Sequence, residues 1–301
     1  TKITTTDKQM NKISVFKFFL ILIIFLTSIS CSTNTKKAEY KERSVDEIYN
    51  SAMNLLDSKK YKKSSEEFEE VERLHPYSIW ATRAQLMSAY VQYKLNDYGA
   101  SITAANRYIE LHPGANDIDY AYYLISLCYY EQINDFRRDQ SNTSFALDSF
   151  NNLIRRFPNS EYTRDSKLKL DLVKDHLAAR EMNVGRTYQD LDNYIAAINR
   201  FKIVVDSYSK TSHLPEALAR LTELYFMLGL YNEAKVYASV LGHNYPNNKW
   251  YIYSYSLFNS KKNDLLSNSK NDKPENIDNN DSNIFSNTLD DFIKLFEVEE
   301  P

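Results

Sequence analysis

Apolar positions recur at helical spacing through most of this 301-residue chain, and the helical segments form a repeat. The endings that mark this repeat are "RLHP" at 73–76, "ELHP" at 110–113, "RRFP" at 155–158, "DSYS" at 206–209 and "HNYP" at 243–246. Four of the five close on proline, and the fourth along the chain has Ser209 instead. Because proline cannot continue a helix, each ending predicts the end of a helix.

A small residue stands twelve positions before the last residue of each ending. These small residues are Ser64, Ser101, Ala146, Ala197 and Ala234. Three positions earlier, four of the five repeats have tyrosine (Tyr61, Tyr98, Tyr194 and Tyr231) and the third has Thr143. Small side chains let two helices cross closely, and aromatic rings fill the gaps between stacked helix pairs. The pattern is typical of the second helix of a tetratricopeptide repeat, with "LARLTELYFMLGLYNEAKVYASVLGHNYP" as its most complete copy.

We therefore predict an all-α protein, a right-handed superhelix of five tetratricopeptide helix-turn-helix repeats over residues 45–250. The predicted repeats cover 45–77, 79–114, 117–159, 161–209 and 213–247. The third has an insertion between its helices, and the first helix of the fourth is extended from about Tyr162 to Tyr188. Beyond the repeats, the composition of residues 256–287, which is rich in Asn and Asp, predicts a disordered linker. The apolar spacing of residues 288–298 predicts a short amphipathic helix. We expect this helix to dock either on its own chain or on a partner.

The N-terminal segment has the layout of a secretion signal. Residues 1–9 are taken as sequence upstream of a start at Met10, and residues 10–30 as the signal, with Lys12 and Lys17 before a short apolar run. Cys31 follows small residues and resembles the lipidated cysteine of a bacterial lipobox, although Ser28 occupies a position where leucine is usual. Residues 31–44 then form a flexible tether. The alternatives are a plain cleavable signal, or an uncleaved anchor, with an incidental cysteine.

Composition and motifs argue against catalysis. The net charge of −3 does not suggest nucleic-acid binding, and five glycines leave little room for phosphate-binding loops. The five histidines are scattered, so we expect no metal, no cofactor and no catalytic residue. His75 and His112 stand at equivalent repeat positions and are interpreted as packing residues, and Cys128 as a buried free thiol. No segment outside the repeats is large enough for a glycosidase domain, which disfavours a cell-wall enzyme.

Several stretches in order resemble the BamD family of outer-membrane assembly lipoproteins over about residues 35–250. They include "RLHPYS" (73–78), "NRYIELHP" (106–113), "RRFPNSEYTRDS" (155–166), "AAREMNVGRTY" (178–188) and "NYIAAINRF" (193–201). The resemblance implies a non-catalytic scaffold, lipid-anchored to the outer membrane and facing the periplasm. It also implies binding to BamA and to other lipoproteins of the assembly machinery, and recognition of the C-terminal signals of unfolded outer-membrane proteins. The alternative is another tetratricopeptide lipoprotein that coordinates envelope constriction or peptidoglycan assembly.

Two candidate surfaces follow from the repeat geometry and the resemblance. The first helix of each repeat lines the concave groove, where tyrosines offer amphipathic contact area and Arg83 or Lys94 could meet a terminal carboxylate. The predicted groove residues are Tyr49, Met53, Arg83, Leu86, Tyr90, Tyr93, Lys94, Tyr120, Tyr123 and Tyr130. The stretch "INRF" resembles a family segment whose arginine lies at the BamA contact, which implies Arg200. The neighbouring Asn199, Arg186 and Asp206 are expected to share that surface. The alternatives are helix packing for each tyrosine and a solvated helix face for Arg200 and its neighbours.

Overall fold

The structure is a computed structural model that describes residues 43–271, with the side chains of 43–260. All regular secondary structure in this part of the chain is α-helical. The helices are α1 (Val45–Asp57), α2 (Tyr61–Leu74), α3 (Ile79–Lys94), α4 (Tyr98–Leu111), α5 (Ile118–Glu131), α6 (Ser141–Arg156), α7 (Tyr162–Asp190), α8 (Tyr194–Ser207), α9 (Leu214–Met227), α10 (Tyr231–Asn244) and α11 (Lys249–Asn271). Each helix packs on the next, and α1, α3, α5 and α7 also contact one another in succession. The predicted all-α repeat class is confirmed.

The core is a row of small clusters, each shared by consecutive helices. Met182 of α7, Phe201 of α8 and Leu221 of α9 are fully buried in one such cluster. Each helix pair exposes apolar surface on two sides until its neighbours cover it, so stacking is what buries the core.

Small side chains occupy the crossings between the two helices of a repeat. Ser64 is fully buried and donates a 2.9 Å hydrogen bond from Oγ to the carbonyl oxygen of Ala52. Ser101 does the same to the carbonyl of Ala89 at 2.8 Å. These hydroxyls therefore tie α2 to α1 and α4 to α3, and their burial costs little because each is hydrogen-bonded.

The turns between paired helices share a left-handed residue. Lys59, Asn96, Asp192 and Gly229 have φ values of 57°, 60°, 57° and 77°. Each stands two positions before the tyrosine that begins the second helix of its repeat. Only glycine adopts this conformation without cost, whereas a lysine there is strained.

The long helix α7 closely approaches α8, the second helix of its own repeat, at Gly185. A Cβ atom built on Gly185 would lie 2.5 Å from Cε1 of Phe201 on α8. Glycine is therefore required at this position for α7 and α8 to approach as they do. The observed helix extends to Asp190, slightly beyond the expected extension to Tyr188.

The C-terminal boundary differs from the sequence-based expectation. The predicted linker begins at 256, yet α11 continues from Lys249 to Asn271. The reason is tertiary: Phe258 is buried against Ala234 and Ala238 of α10, and Tyr253 packs with the α9 cluster. The predicted lipobox with Cys31, the signal at 10–30 and the segment 288–298 lie outside the described residues.

Two of the residues expected to be structural rather than catalytic, His112 and Cys128, lie in the packed interior. His112 Nε2 lies 2.9 Å from Oε1 of Gln85, and its ring packs on Tyr108. Cys128 is a buried free thiol, and its burial raises the thiol pKa to about 11.

Candidate functional site

Tyrosines from three successive first helices form a continuous aromatic surface, which we call the tyrosine face. Its members are Tyr90 and Tyr93 of α3, Tyr120 and Tyr123 of α5, and Tyr162 of α7. The Tyr120 ring lies 6.4 Å from Tyr90 and 5.3 Å from Tyr162, between ring centroids. Tyr123 stacks on Tyr162 at 4.9 Å. All five rings are partly accessible, so the face presents apolar ring surface together with hydroxyl groups.

One exposed cation lies against this face. Lys94 Nζ lies 5.1 Å from the centroid of Tyr90 and 5.5 Å from that of Tyr93. The aromatic faces favour the ammonium in this position while leaving it accessible to a ligand. Burial, and then the nearby carboxylate of Glu131, raise the pKa of Tyr93 to about 12, so this hydroxyl stays protonated at neutral pH.

The C-terminal edge of the tyrosine face is fixed by charged residues of α7. Tyr123 donates a 2.6 Å hydrogen bond to Asp165, whose other oxygen lies 3.3 Å from Lys169 Nζ. Lys169 also lies over the ring of Tyr130, 5.4 Å from its centroid. Burial, together with the hydrogen bond to Asp165, raises the pKa of Tyr123. The two ends of this chain of contacts are Tyr130 and Tyr123, so α7 holds these two of the five tyrosines of α5 in place.

Three of the remaining predicted groove residues, Tyr49, Met53 and Arg83, lie near the N-terminal end of the solenoid, away from the tyrosine face. Tyr49 packs on Trp80 at 4.7 Å, and the exposed Arg83 lies 5.3 Å over the same indole. Met53 is a partly buried member of the core between α1 and α2. Leu86 is buried against Tyr108, so it serves the interior rather than a ligand surface.

The four residues predicted to contact BamA differ in their partners and in their exposure. Arg200 on α8 donates from Nη1 to Glu181 of α7 at 3.1 Å. Arg186 forms a two-pronged pair with Glu216 of α9, at 2.8 and 2.9 Å. Asn199 and Asp206 are exposed on α8. Arg186 therefore ties together the first helices of two repeats, whereas Arg200 ties α8 to the first helix of its own repeat.

Comparison with known proteins identifies the family. A family model described as "Outer membrane lipoprotein" (YfiO) matches residues 41–241, about two thirds of the chain. The chain belongs to this family. A curated relative in Rickettsia prowazekii, the outer membrane protein assembly factor BamD, is 50% identical over 216 residues, covering 72% of this chain and 86% of the relative.

A second curated relative and the solved structures complete the comparison. The assembly factor BamD of Caulobacter vibrioides is 42% identical over 240 residues, 79% of each chain. A solved tetratricopeptide protein of Thermus thermophilus aligns with a TM-score of 0.34 and 19% identity, over 71% of this chain and 98% of that one. Among the helices of residues 43–271, none combines the length and apolar character needed to cross a membrane.

In this member of the YfiO/BamD family, sequence reasoning missed part of the tyrosine face. The predicted groove residues do not include Tyr162, Asp165 or Lys169, because the prediction covers the first three repeats and these residues lie in the fourth. Tyr162 begins the first helix of the fourth repeat, and a helical register carried into α7 would have found it. Trp80 was missed because it stands near the start of α3, where no pattern indicated that it would pack on Tyr49.

Proposed function

We propose that this chain is a non-catalytic scaffold of outer-membrane protein assembly, held at the outer membrane by a lipid on Cys31 and facing the periplasm. Membership of the outer-membrane lipoprotein family is the observation that carries this proposal, and the relatives named as assembly factors support it. In this role the solenoid binds BamA, works beside other lipoproteins of the machinery and receives the C-terminal ends of unfolded barrel proteins.

The tyrosine face is the proposed receptor for those C-terminal ends. A barrel strand ends in aromatic and apolar side chains with a free carboxylate. Partly exposed rings can cover such side chains, and Lys94 lies beside Tyr90 and Tyr93 where it can pair with the carboxylate. Arg83 offers a second cation next to Trp80, near the other end of the groove.

A peptide-binding measurement tests this assignment. The double variant Tyr90→Ala/Tyr93→Ala should weaken binding of a fluorescent barrel C-terminal peptide, measured by polarisation. Each stacked or buried aromatic is worth about 0.5–1.5 kcal/mol, so we expect roughly a tenfold loss. Tyr77→Ala is the control, because Tyr77 is fully exposed outside the face. Unchanged affinity in the double variant would remove the tyrosine face from the binding site.

The proposed contact with BamA centres on Arg200, with Asn199, Asp206 and Arg186 as further candidates. Arg200→Glu should reduce BamA recovery when the native lipoprotein is captured from mild detergent. Arg107→Glu is the matched control, since Arg107 also lies on the second helix of a repeat and pairs with a glutamate, Glu72. Equal recovery with both variants would exclude Arg200, and absence of BamA with the unaltered chain would refute the scaffold proposal itself.

The lipid anchor is tested separately. Mass spectrometry of the mature N-terminus should find acyl chains on Cys31. A single chain would bind a membrane only reversibly, whereas several chains anchor stably. An unmodified N-terminal peptide containing Cys31 would contradict the anchor and leave the peptide-binding proposal standing.

A further inference from the structure

A depression beside the tyrosine face lies between the end of α5 and the middle of α7, and its volume is about 570 Å³. Its apolar lining includes Tyr130, Ile133 and Val173, which are buried or partly buried members of the core cluster shared by α6 and α7. Its polar lining includes Glu131, Asp135 and His176. We call this depression the α5–α7 pocket.

Both carboxylates of the α5–α7 pocket are exposed, and neither pairs with a cation in the part of the chain whose side chains the structure describes. One oxygen of Glu131 accepts a hydrogen bond from the Tyr93 hydroxyl at 3.3 Å. One oxygen of Asp135 accepts from the backbone N–H of Arg137 at 2.8 Å. The second oxygen of each carboxylate therefore remains available to a ligand.

Two cations stand close to the pocket, and each has a partner of its own. Lys169 lies over the ring of Tyr130, but its ammonium is 3.3 Å from Asp165. Arg137 lies over the ring of Phe136, 5.4 Å from its centroid. The lining itself contains no lysine or arginine, so it presents two negative charges beside apolar surface. A lysine or arginine side chain matches this lining, because its aliphatic stem can cover the apolar residues while its charged head meets the carboxylates.

His176 adds a buried atom that lacks a partner. Its Nε2 atom is buried and makes no hydrogen bond to the described residues, while its ring packs edge-on against Phe136 with 6.3 Å between centroids. Buried polar atoms in folded proteins nearly always have a hydrogen-bond partner. An N–H group of a bound ammonium or guanidinium can supply one, in the tautomer of His176 that carries its proton on Nδ1.

Two other depressions are less suited to a cationic side chain. One lies at the first turns of α7 and is lined by Arg164 and Lys167, which would repel a cation. The other lies beside Phe145 and contains Arg180, and its Glu181 already pairs with Arg200. The α5–α7 pocket differs from both, because its negative charges are not matched.

The α5–α7 pocket is joined to the tyrosine face by the bond between Glu131 and Tyr93, and the first helices α3, α5 and α7 contact one another in succession. With neighbouring helix axes about 10 Å apart, a pocket between α5 and α7 lies about 15 Å across the groove from Lys94 on α3. An extended strand advances about 3.3 Å per residue, so this distance corresponds to roughly four to six residues.

We propose that the α5–α7 pocket binds a lysine or arginine side chain of the barrel C-terminal peptide, roughly four to six residues before its carboxylate. This inference rests on the proposed binding of these peptides to the tyrosine face. Lys94 takes the terminal carboxylate, and the pocket takes the basic residue upstream. Because the two sites carry opposite charge, together they fix the direction in which the peptide lies across the groove.

Paired fluorescent peptides test the pocket in the full chain. One series carries a single lysine at each position from two to eight residues before the terminal residue, and a matched series carries glutamine there. Polarisation should show that lysine is favoured over glutamine, roughly threefold to tenfold, at about positions four to six only.

Protein variants assign the preference to the pocket. Glu131→Gln/Asp135→Asn should abolish it, so that lysine and glutamine peptides bind alike, while the amide oxygens can still accept from Tyr93 and from the N–H of Arg137. The matched control, Asp57→Asn/Glu66→Gln, removes the same charge at exposed positions of α1 and α2 and should keep the preference.

Each outcome decides the proposal. A lysine preference at the expected positions that is lost in Glu131→Gln/Asp135→Asn and kept in the control supports the pocket. Binding without a preference, an equal preference at every position, or a preference that survives in Glu131→Gln/Asp135→Asn would overturn the pocket and leave the tyrosine face as the receptor. Loss of the preference in the control as well would also overturn it, since net charge would then be the cause. Failure of every peptide to bind the unaltered chain would instead refute the receptor itself, and the pocket with it.

Discussion

Because Gly185 lies against Phe201, adding a single methyl group at Gly185 should lower the free energy of unfolding. In Gly185→Ala the new Cβ would meet Cε1, Cζ and Cδ1 of the ring at 2.5, 2.8 and 2.9 Å. Attractive carbon–carbon contact requires about 3.5–4.0 Å, so either the ring or the α7–α8 spacing must change. Phe201 is fully buried, which leaves the ring nowhere to move.

The net cost follows from two opposing contributions. Overpacking a well-packed core costs up to about 3 kcal/mol. Alanine in a helix interior is favoured over glycine by about 1 kcal/mol, which offsets part of this. We therefore expect Gly185→Ala to lower the free energy of unfolding by about 2 kcal/mol, measured by urea unfolding followed by circular dichroism.

Two companion variants make the reasoning refutable. Gly99→Ala is the control: its nearest neighbour, Oδ1 of Asp97, would be 3.9 Å away, so this variant should be neutral or slightly more stable. Phe201→Leu removes the ring edge, so its cost and that of Gly185→Ala should be less than additive. A Gly185→Ala protein as stable as the unaltered chain, or strict additivity with Phe201→Leu, would show that the close approach of α7 and α8 is not as described.

Three further predictions concern the turns, the tyrosine face and the α7–α9 contact. Lys59→Gly should raise the free energy of unfolding by about 0.5–1 kcal/mol, because glycine relieves the left-handed strain at a smaller entropic cost; urea unfolding will detect it. Since the pKa of Tyr93 is raised above its ordinary value of 10 to about 12, its stabilising contribution is complete below pH 10 and is lost as the pH rises towards 12. Unfolding measured at pH 9 and 11 should show that decline, and Tyr93→Phe should reduce it. Arg186→Ala should cost about 1–3 kcal/mol by leaving the partly buried Glu216 without its two-pronged partner, and an unchanged unfolding curve would contradict this.

The repeat pattern predicted not only the helices but also which residues lie where paired helices cross. The spacing of Ser64 and Ser101 from their proline endings placed both residues at helix crossings, where the structure has their hydroxyls bonded to the facing helix. Local periodicity carries this information because a repeat brings the same sequence position to the same packing environment. The same reasoning anticipated the extended first helix of the fourth repeat, which is observed as α7.

Long-range partners were not accessible in the same way. Nothing near Tyr123 in sequence indicates Asp165, which lies 42 residues away and accepts its hydrogen bond. The sequence assigns Arg186 and Arg200 to one candidate surface. In the structure Arg186 pairs with Glu216 of α9, whereas Arg200 pairs with Glu181 of α7. The linker predicted from residue 256 failed for the same reason, because Phe258 is ordered by α10 rather than by its own neighbours.

The sequence by itself determined the helical class, the repeat, the small residues at the crossings and a tyrosine-rich set of first helices, since all of these depend on spacings within a few turns. Tertiary structure alone decided which tyrosines join into one face, which charges pair across repeats, and which carboxylates line the α5–α7 pocket. Those features depend on how helices far apart in the sequence stack, which spacings within a few turns do not specify.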